Sequence, residues 1–114
     1  MNPVLTDILS NPVVVRDSLA EGERRLPEVV SELKAIKPRL LYAIGAGSSY
    51  FVGLAGRYLI ESFARTPTKE LSSKDFQFYA KNALSEGDVV IAISQSGETV
   101  ETIEAVKSIG DHRI

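Results

Sequence analysis

The sequence predicts an α/β fold of three αβα layers, with helices on both faces of a parallel sheet, and three observations carry that expectation. Two apolar runs, Leu40-Leu41-Tyr42-Ala43-Ile44 and Val89-Val90-Ile91-Ala92-Ile93, are continuous rather than alternating, as strands buried on both faces of a parallel sheet are. Each run ends in a short loop of glycines and hydroxyl residues. Each loop is followed by apolar residues at helical spacing.

In chain order, Asn11-Pro12 reads as a helix start, with Asn as N-cap, Pro in the first helical position and Val14, Val15 and Leu19 forming the apolar stripe. That helix is expected to weaken near Gly22. Pro27 restarts a second one, with Leu26, Val29, Val30, Leu33 and Ile36 on one face, and Pro38 ends it because the residue before a proline disfavours the helical region. The first strand, Leu40–Ile44, then leads through Gly45-Ala46-Gly47-Ser48-Ser49 to a long helix. Its stripe is Phe51, Leu54, Ala55, Tyr58, Leu59 and Phe63, and Thr66-Pro67 stops it. Thr68–Ser72 is read as a second strand because the alternation requires one there. Lys74–Leu84 reads as a short helix or turn, and Glu86-Gly87-Asp88 as a turn before the third strand, Val89–Ile93. Val100, Ile103, Val106 and Ile109 mark a last helix ending at Gly110. The expected order is α-α-β-α-β-(α)-β-α with a sheet of order 2-1-3. Tyr50, Phe51, Tyr58 and Phe63 are expected in the core from their spacing, and His112 is expected to be exposed and without a catalytic role.

Composition excludes several classes of function. The chain has 114 residues, room for one domain, with 13 Lys and Arg against 15 Asp and Glu and a formal net charge of -2. Its basic residues are scattered, so no stripe exists to hold a nucleic-acid backbone. Arg16, Arg24, Arg25, Lys34 and Lys37 are interleaved with Asp17, Glu21, Glu23, Glu28 and Glu32, which is not a basic recognition face. No run approaches the roughly 20 apolar residues of a membrane span, and the N-terminus has no signal-peptide pattern, so a cytoplasmic setting is expected. With no Cys and one His, thiolate metal sites, disulfides and a cysteine nucleophile are ruled out; no metal and no cofactor is expected.

The remaining chemistry lies in two loops, Gly45-Ala46-Gly47-Ser48-Ser49-Tyr50 and Ser94-Gln95-Ser96-Gly97-Glu98-Thr99. In a 2-1-3 sheet both follow neighbouring strands whose connections leave in opposite directions, so they flank the crevice where ligands bind. Helix N-termini offer N–H groups and partial positive charge, glycine admits close backbone approach and Ser or Thr adds neutral donors, so a phosphate can be held without Lys or Arg. Such turns are also Gly- and Ser-rich for capping alone, but two on one edge are harder to explain that way. The nucleoside-triphosphatase string with its lysine does not occur. A dinucleotide fingerprint fails at Tyr50, where a third glycine is required, although Glu70 lies near the distance of a ribose-binding acid. Glu98, Glu101 and Glu104 suit the start of the last helix through its dipole.

These two loops, with Val-Val-Ile-Ala-Ile before the second, resemble the SIS (sugar isomerase) phosphosugar-binding family, and within it the branch of sugar-phosphate isomerases and deaminases that includes the isomerase half of glucosamine-6-phosphate synthase. Asn11-Pro12 and its helix are similar to the leader of that branch. The resemblance implies a flavodoxin-like parallel sheet of about five strands, of which three are found here. Residues 1–38 are then an N-terminal helical leader and 39–114 the N-terminal portion of an SIS domain. By resemblance Gly47, Ser48 and Ser49 of the first loop and Ser94, Gln95, Ser96 and Thr99 of the second hold the phosphate and part of a sugar phosphate of the fructose 6-phosphate or glucosamine 6-phosphate class. Ser72-Ser73-Lys74-Asp75-Phe76 is similar to a further family turn, with an extra residue and Asp75 in place of Glu. The family's ring-opening His and general base have no counterpart among these residues, so no catalytic residue is assigned.

The leading expectation is therefore phosphosugar binding by part of an amino-sugar isomerase or deaminase. The alternatives are a non-catalytic phosphosugar sensor module and a dinucleotide-binding fragment. Val89–Ile93, apolar on both faces, would be an open edge as the third strand, which predicts a homo-oligomer or pairing with the rest of the domain.

Overall fold

A computed structural model describes residues 2–110; His112 lies outside the described residues. The chain divides between Ile36 and Lys37 into two compact units.

The first unit is one helix, α1, Pro3–Ile36, where the sequence pattern predicts two. The Asn-Pro start signal occurs twice, and the first copy is the one used. Asn2 caps the helix, its Oδ1 accepting from the Val4 N–H at 2.9 Å and its carbonyl from the Thr6 N–H at 3.0 Å, with Pro3 in the first helical position. Pro12 and Pro27 sit inside the helix. Each deprives one carbonyl, of Ile8 and Glu23, of its helical donor, and on an exposed helix water can serve both. Gly22 is accommodated in the same continuous helix. Ion pairs from Glu21 to Arg24 and Arg25 line the polar side. Lys37, at φ 53, ends the helix in the left-handed region just before Pro38.

The second unit holds strands β1 (Leu40–Gly45), β2 (Thr68–Ser72) and β3 (Asp88–Ile93), all parallel, in the order β2-β1-β3. The observed sheet and its order are those expected, an αβα arrangement at three strands. Central β1 is buried from Leu41 to Gly45. Its two faces serve different layers. Tyr42 and Ile44 point to a core with Phe76 and Ala105, where the Tyr42 and Phe76 rings meet edge-on at 5.6 Å. On the other face Ala43 receives helix α2 (Ser48–Leu59) at its buried Gly53, where a Cβ would make ordinary contact with that of Ala43 at 3.4 Å.

α2 runs on through a π-helical turn, Ile60–Ala64, and ends at Arg65 in the left-handed region. Its packing face differs from the expected one. Phe51, Tyr58 and Phe63 are exposed, because the contact with the sheet runs through Gly53 and the half-buried Tyr50, Leu54 and Arg57. After β2, Ser72 caps the short helix α3 (Ser73–Phe78), its Oγ accepting from the Asp75 N–H at 3.1 Å, and a 3-10 turn follows at Ala80–Ala83. Buried Ser73 shares a 2.8 Å hydrogen bond with buried Thr102 of α4 (Val100–Lys107), which joins the two helices of this layer. The region resembling a family turn thus supplies a cap, a buried hydroxyl and the core ring of Phe76.

At the N-terminal end of the sheet, fully buried Asp88 accepts from Arg39 at 2.7 Å and from the Ser85 N–H at 2.9 Å through Oδ2. Burial, and secondarily the charge of Asp88, raises the Tyr42 phenol above its ordinary value. No helix among the described residues is long and apolar enough to cross a membrane.

Candidate functional site

The site begins with β-sheet register. Gly45, the last residue of β1, pairs with Ile93, the last of β3, so the loops 46–47 and 94–99 leave adjacent strands at the same level. The first continues into α2 on one face of the sheet, and the second into α4, which packs with α3 on the other. This is the crevice at the reversal of strand order.

The first loop folds back hard on its strand. A Cβ at Gly45 would lie 2.7 Å from the carbonyl carbon of Ser49 and 2.9 Å from both the Ser49 oxygen and the Tyr50 nitrogen, so no other residue fits there without moving backbone. Gly47 takes φ 58 and ψ -130 at the N-cap of α2. The turn is closed by the Ser49 and Tyr50 N–H groups donating to the carbonyls of Ala46 and Gly47 at 3.2 and 3.1 Å. Ser48 is exposed and Ser49 half-buried. The first turn of α2 holds no acidic residue, so the positive end of its dipole is unopposed there.

The second loop is tied by its own hydroxyls. Ser94 Oγ and Thr99 Oγ1 lie 2.9 Å apart and bridge its two ends, and Ser94 Oγ also accepts from the Gly97 N–H at 3.0 Å. Ser96 Oγ accepts from the Glu98 N–H at 3.1 Å, and Gln95 is exposed. The Ser94–Thr99 bond uses only one of the two hydroxyl hydrogens, and the other is free to donate to a ligand. Glu101 in the first turn of α4 takes up part of that helix's dipole. The structure therefore joins Ser94 to Thr99 directly and sets the two loops side by side. None of the side-chain hydrogen bonds among the described residues links Gly47, Ser48 or Ser49 to the second loop.

A second feature was not seen in the sequence. An open groove of about 570 Å³ runs along β2, with Tyr42, Arg57, Lys69, Glu70 and Tyr79 among its lining residues. Arg57 on its wall donates to Glu70 at 2.8 Å and to Glu61 at 3.4 Å, while Glu61 also accepts from the Thr68 N–H. Hydrogen bonding to Glu70, with the charges of both glutamates, holds Arg57 more firmly protonated than usual. Burial opposes charge on Glu70, but the bond from Arg57, its own backbone N–H and the guanidinium charge together hold its carboxyl below the usual range. Glu70 is thus committed to Arg57, not free for a ribose. Only Arg57 and Glu61, four residues apart, form a pair visible in the sequence. No cluster of acidic residues or histidines suited to a metal occurs among the described residues.

The order β2-β1-β3 with helices on both faces defines a parallel αβα domain with two hydroxyl loops at its switch point. A family model described as SIS domain matches residues 35–111, and the chain belongs to that family. It is 36% identical to glutamine--fructose-6-phosphate aminotransferase [isomerizing] of Zymomonas mobilis over 107 residues, which cover 89% of this chain and 17% of that protein. The same enzyme of Methanothermobacter thermautotrophicus is 36% identical, covering 92% of this chain and 17% of the relative. That of Bacteroides thetaiotaomicron is 43% identical over 84 residues, 69% of this chain and 14% of the relative. The chain thus spans less than a fifth of these relatives' length. No solved structure matches. The sensor and dinucleotide readings gain no support from the family or from these relatives.

Proposed function

We propose that the chain binds a sugar phosphate of the fructose 6-phosphate or glucosamine 6-phosphate class, as part of a cytoplasmic isomerase or deaminase of amino-sugar metabolism. Gly47, Ser48, Ser49, Ser94, Gln95, Ser96 and Thr99 are its binding residues. The observation that carries this reading is the Gly45–Ile93 register, which sets the two hydroxyl loops side by side, each opening a helix. Membership of the SIS family and relatives named for fructose 6-phosphate agree with it.

In this reading the phosphate lies against the start of α2, where N–H groups and the unopposed dipole meet it, with Ser48 and Ser49 as donors. Ser94, Ser96 and Thr99 approach from the second loop, and Gln95 reaches the sugar hydroxyls. A neutral cradle leaves the phosphate its charge and relies on the number of donors. The role is binding, and no proton-transferring residue is assigned. The edge of β3 pairs with a further strand, from a second copy or from the remainder of the domain.

Calorimetric titration of the chain and of its Ser49→Ala and Ser96→Ala variants with fructose 6-phosphate tests the proposal. Each variant is expected to bind about tenfold to a hundredfold more weakly, the range for one hydrogen bond to a charged group. Equal affinity in both variants and the parent would refute the site.

A further inference from the structure

None of the residues of α1 is buried; Gly22 and Leu33 are partly exposed, and large side chains such as Leu19 and Leu26 are 65% and 57% exposed. Eight of its large aliphatic residues fall on a heptad pattern, with Val4, Leu9, Val13, Val14 and Val30 outside it. Leu5, Pro12, Leu19, Leu26 and Leu33 recur every seven residues, and three residues after each comes a member of a second series, Ile8, Val15, Gly22, Val29 and Ile36. A three-four alternation over ten positions on a continuous helix, eight of them Leu, Ile or Val and the other two Pro12 and Gly22, has the 3.5-residue period that keeps a stripe facing one partner helix.

We infer that α1 pairs with α1 of a second copy of this chain as an antiparallel two-stranded coiled coil. Direction follows from size and charge. With the two helices fully overlapped and antiparallel, Leu5 faces Ile36 of the second copy, Ile8 faces Leu33, Pro12 faces Val29, Val15 faces Leu26 and Leu19 faces Gly22. Every seam position meets one of the other series, and the two weakest, Pro12 and Gly22, each meet a large side chain. Beside the seam, Arg16 and Glu23 are one heptad apart on the same flank, so each meets its opposite in the second copy, twice by symmetry. The parallel arrangement fares worse on both counts. It sets Gly22 against Gly22, leaving a void, and its one attractive flanking pair, Glu32 with Lys37, fails because Lys37 has left the helix at φ 53. The seam from Leu5 to Ile36 is about 46 Å long, at roughly 1.5 Å per residue.

The test uses the full chain, and because it contains no Cys, single cysteines report the register cleanly. A dimer is expected by light scattering. Leu19→Lys with Leu26→Lys should raise its dissociation constant about a hundredfold or more, since two seam anchors are lost from each helix. Arg16→Glu should weaken it about tenfold by setting two like-charge pairs against each other, and adding Glu23→Arg should restore it. When differently tagged Leu5→Cys and Ile36→Cys chains are mixed and oxidised, the mixed disulfide is expected. A monodisperse monomer would overturn the inference, as would a Leu5→Cys chain that links efficiently only to itself. A dimer that survives both lysines would also overturn it; its loss on Ile91→Lys would then place association at the β3 edge.

Discussion

Gly45→Ala is the substitution that most directly probes how the first loop is built. The added methyl would lie 2.7 Å from the Ser49 carbonyl carbon and 2.9 Å from two more backbone atoms, against ordinary contacts of about 3.5–4.0 Å. None of these is the end of a flexible side chain, so the start of α2 must move by about 1 Å. Overpacking of this kind costs about 1–3 kcal/mol. For a unit of this size that is a fall in Tm of about 5–20 °C. The displaced segment holds Ser48 and Ser49, so sugar-phosphate affinity should fall by tenfold or more as well. Gly53→Ala is the matched control: its methyl would meet Ala43 and Ile93 at 3.4 to 3.5 Å, ordinary contact, and the change replaces a helix-interior glycine. It should be neutral or stabilising by up to about 1 kcal/mol. Thermal unfolding and calorimetry on both variants settle the matter. If Gly45→Ala matches the parent in Tm and affinity, the reasoning from close approach is wrong.

Three further outcomes are expected. Ser73→Ala or Thr102→Val alone strands one buried hydroxyl and should cost about 1–3 kcal/mol, whereas the double change should be less damaging than the sum, a coupling that a denaturant double-mutant cycle reads directly. Because Glu70 has a lowered carboxyl pKa in the fold, its ion pair with Arg57 contributes stability above the ordinary carboxylate range, and this is lost as pH falls through and below it; in urea titrations from pH 7 to pH 3, Glu70→Gln should be less stable by about 1 kcal/mol at neutral pH and lose less on acidification. Ser94→Ala removes both the bridge to Thr99 and the acceptor of the Gly97 N–H, so amide exchange in residues 94–99 should speed up while the sheet keeps its protection.

Much of the second unit was legible because its signals are local. Continuous apolar runs ending at Gly45 and Ser94 mark β1 and β3, and alternation alone located β2 at Thr68–Ser72, where it is observed. Both hydroxyl loops follow from those strand ends. What was missed depends on partners. Asn11-Pro12 and Pro27 read as two separate starts, but capping at Asn2 lets one helix run through Pro12 and Pro27. Aromatic spacing points Phe51, Tyr58 and Phe63 inward, whereas the face that packs on the sheet carries Tyr50, Gly53, Leu54 and Arg57. Ser73 with Thr102, Arg57 with Glu70 and Arg39 with Asp88 join residues 29, 13 and 49 positions apart, distances over which no sequence period carries information.

The central claim, that the two loops form one phosphosugar site, is tested most directly by titrating the chain with fructose 6-phosphate and glucosamine 6-phosphate in a calorimeter, with inorganic phosphate and a nicotinamide dinucleotide as controls. Saturable binding of a sugar phosphate, tighter than phosphate alone and weakened by Ser49→Ala and Ser96→Ala alike, is the predicted result. Binding that is absent, or that neither substitution weakens, would contradict it.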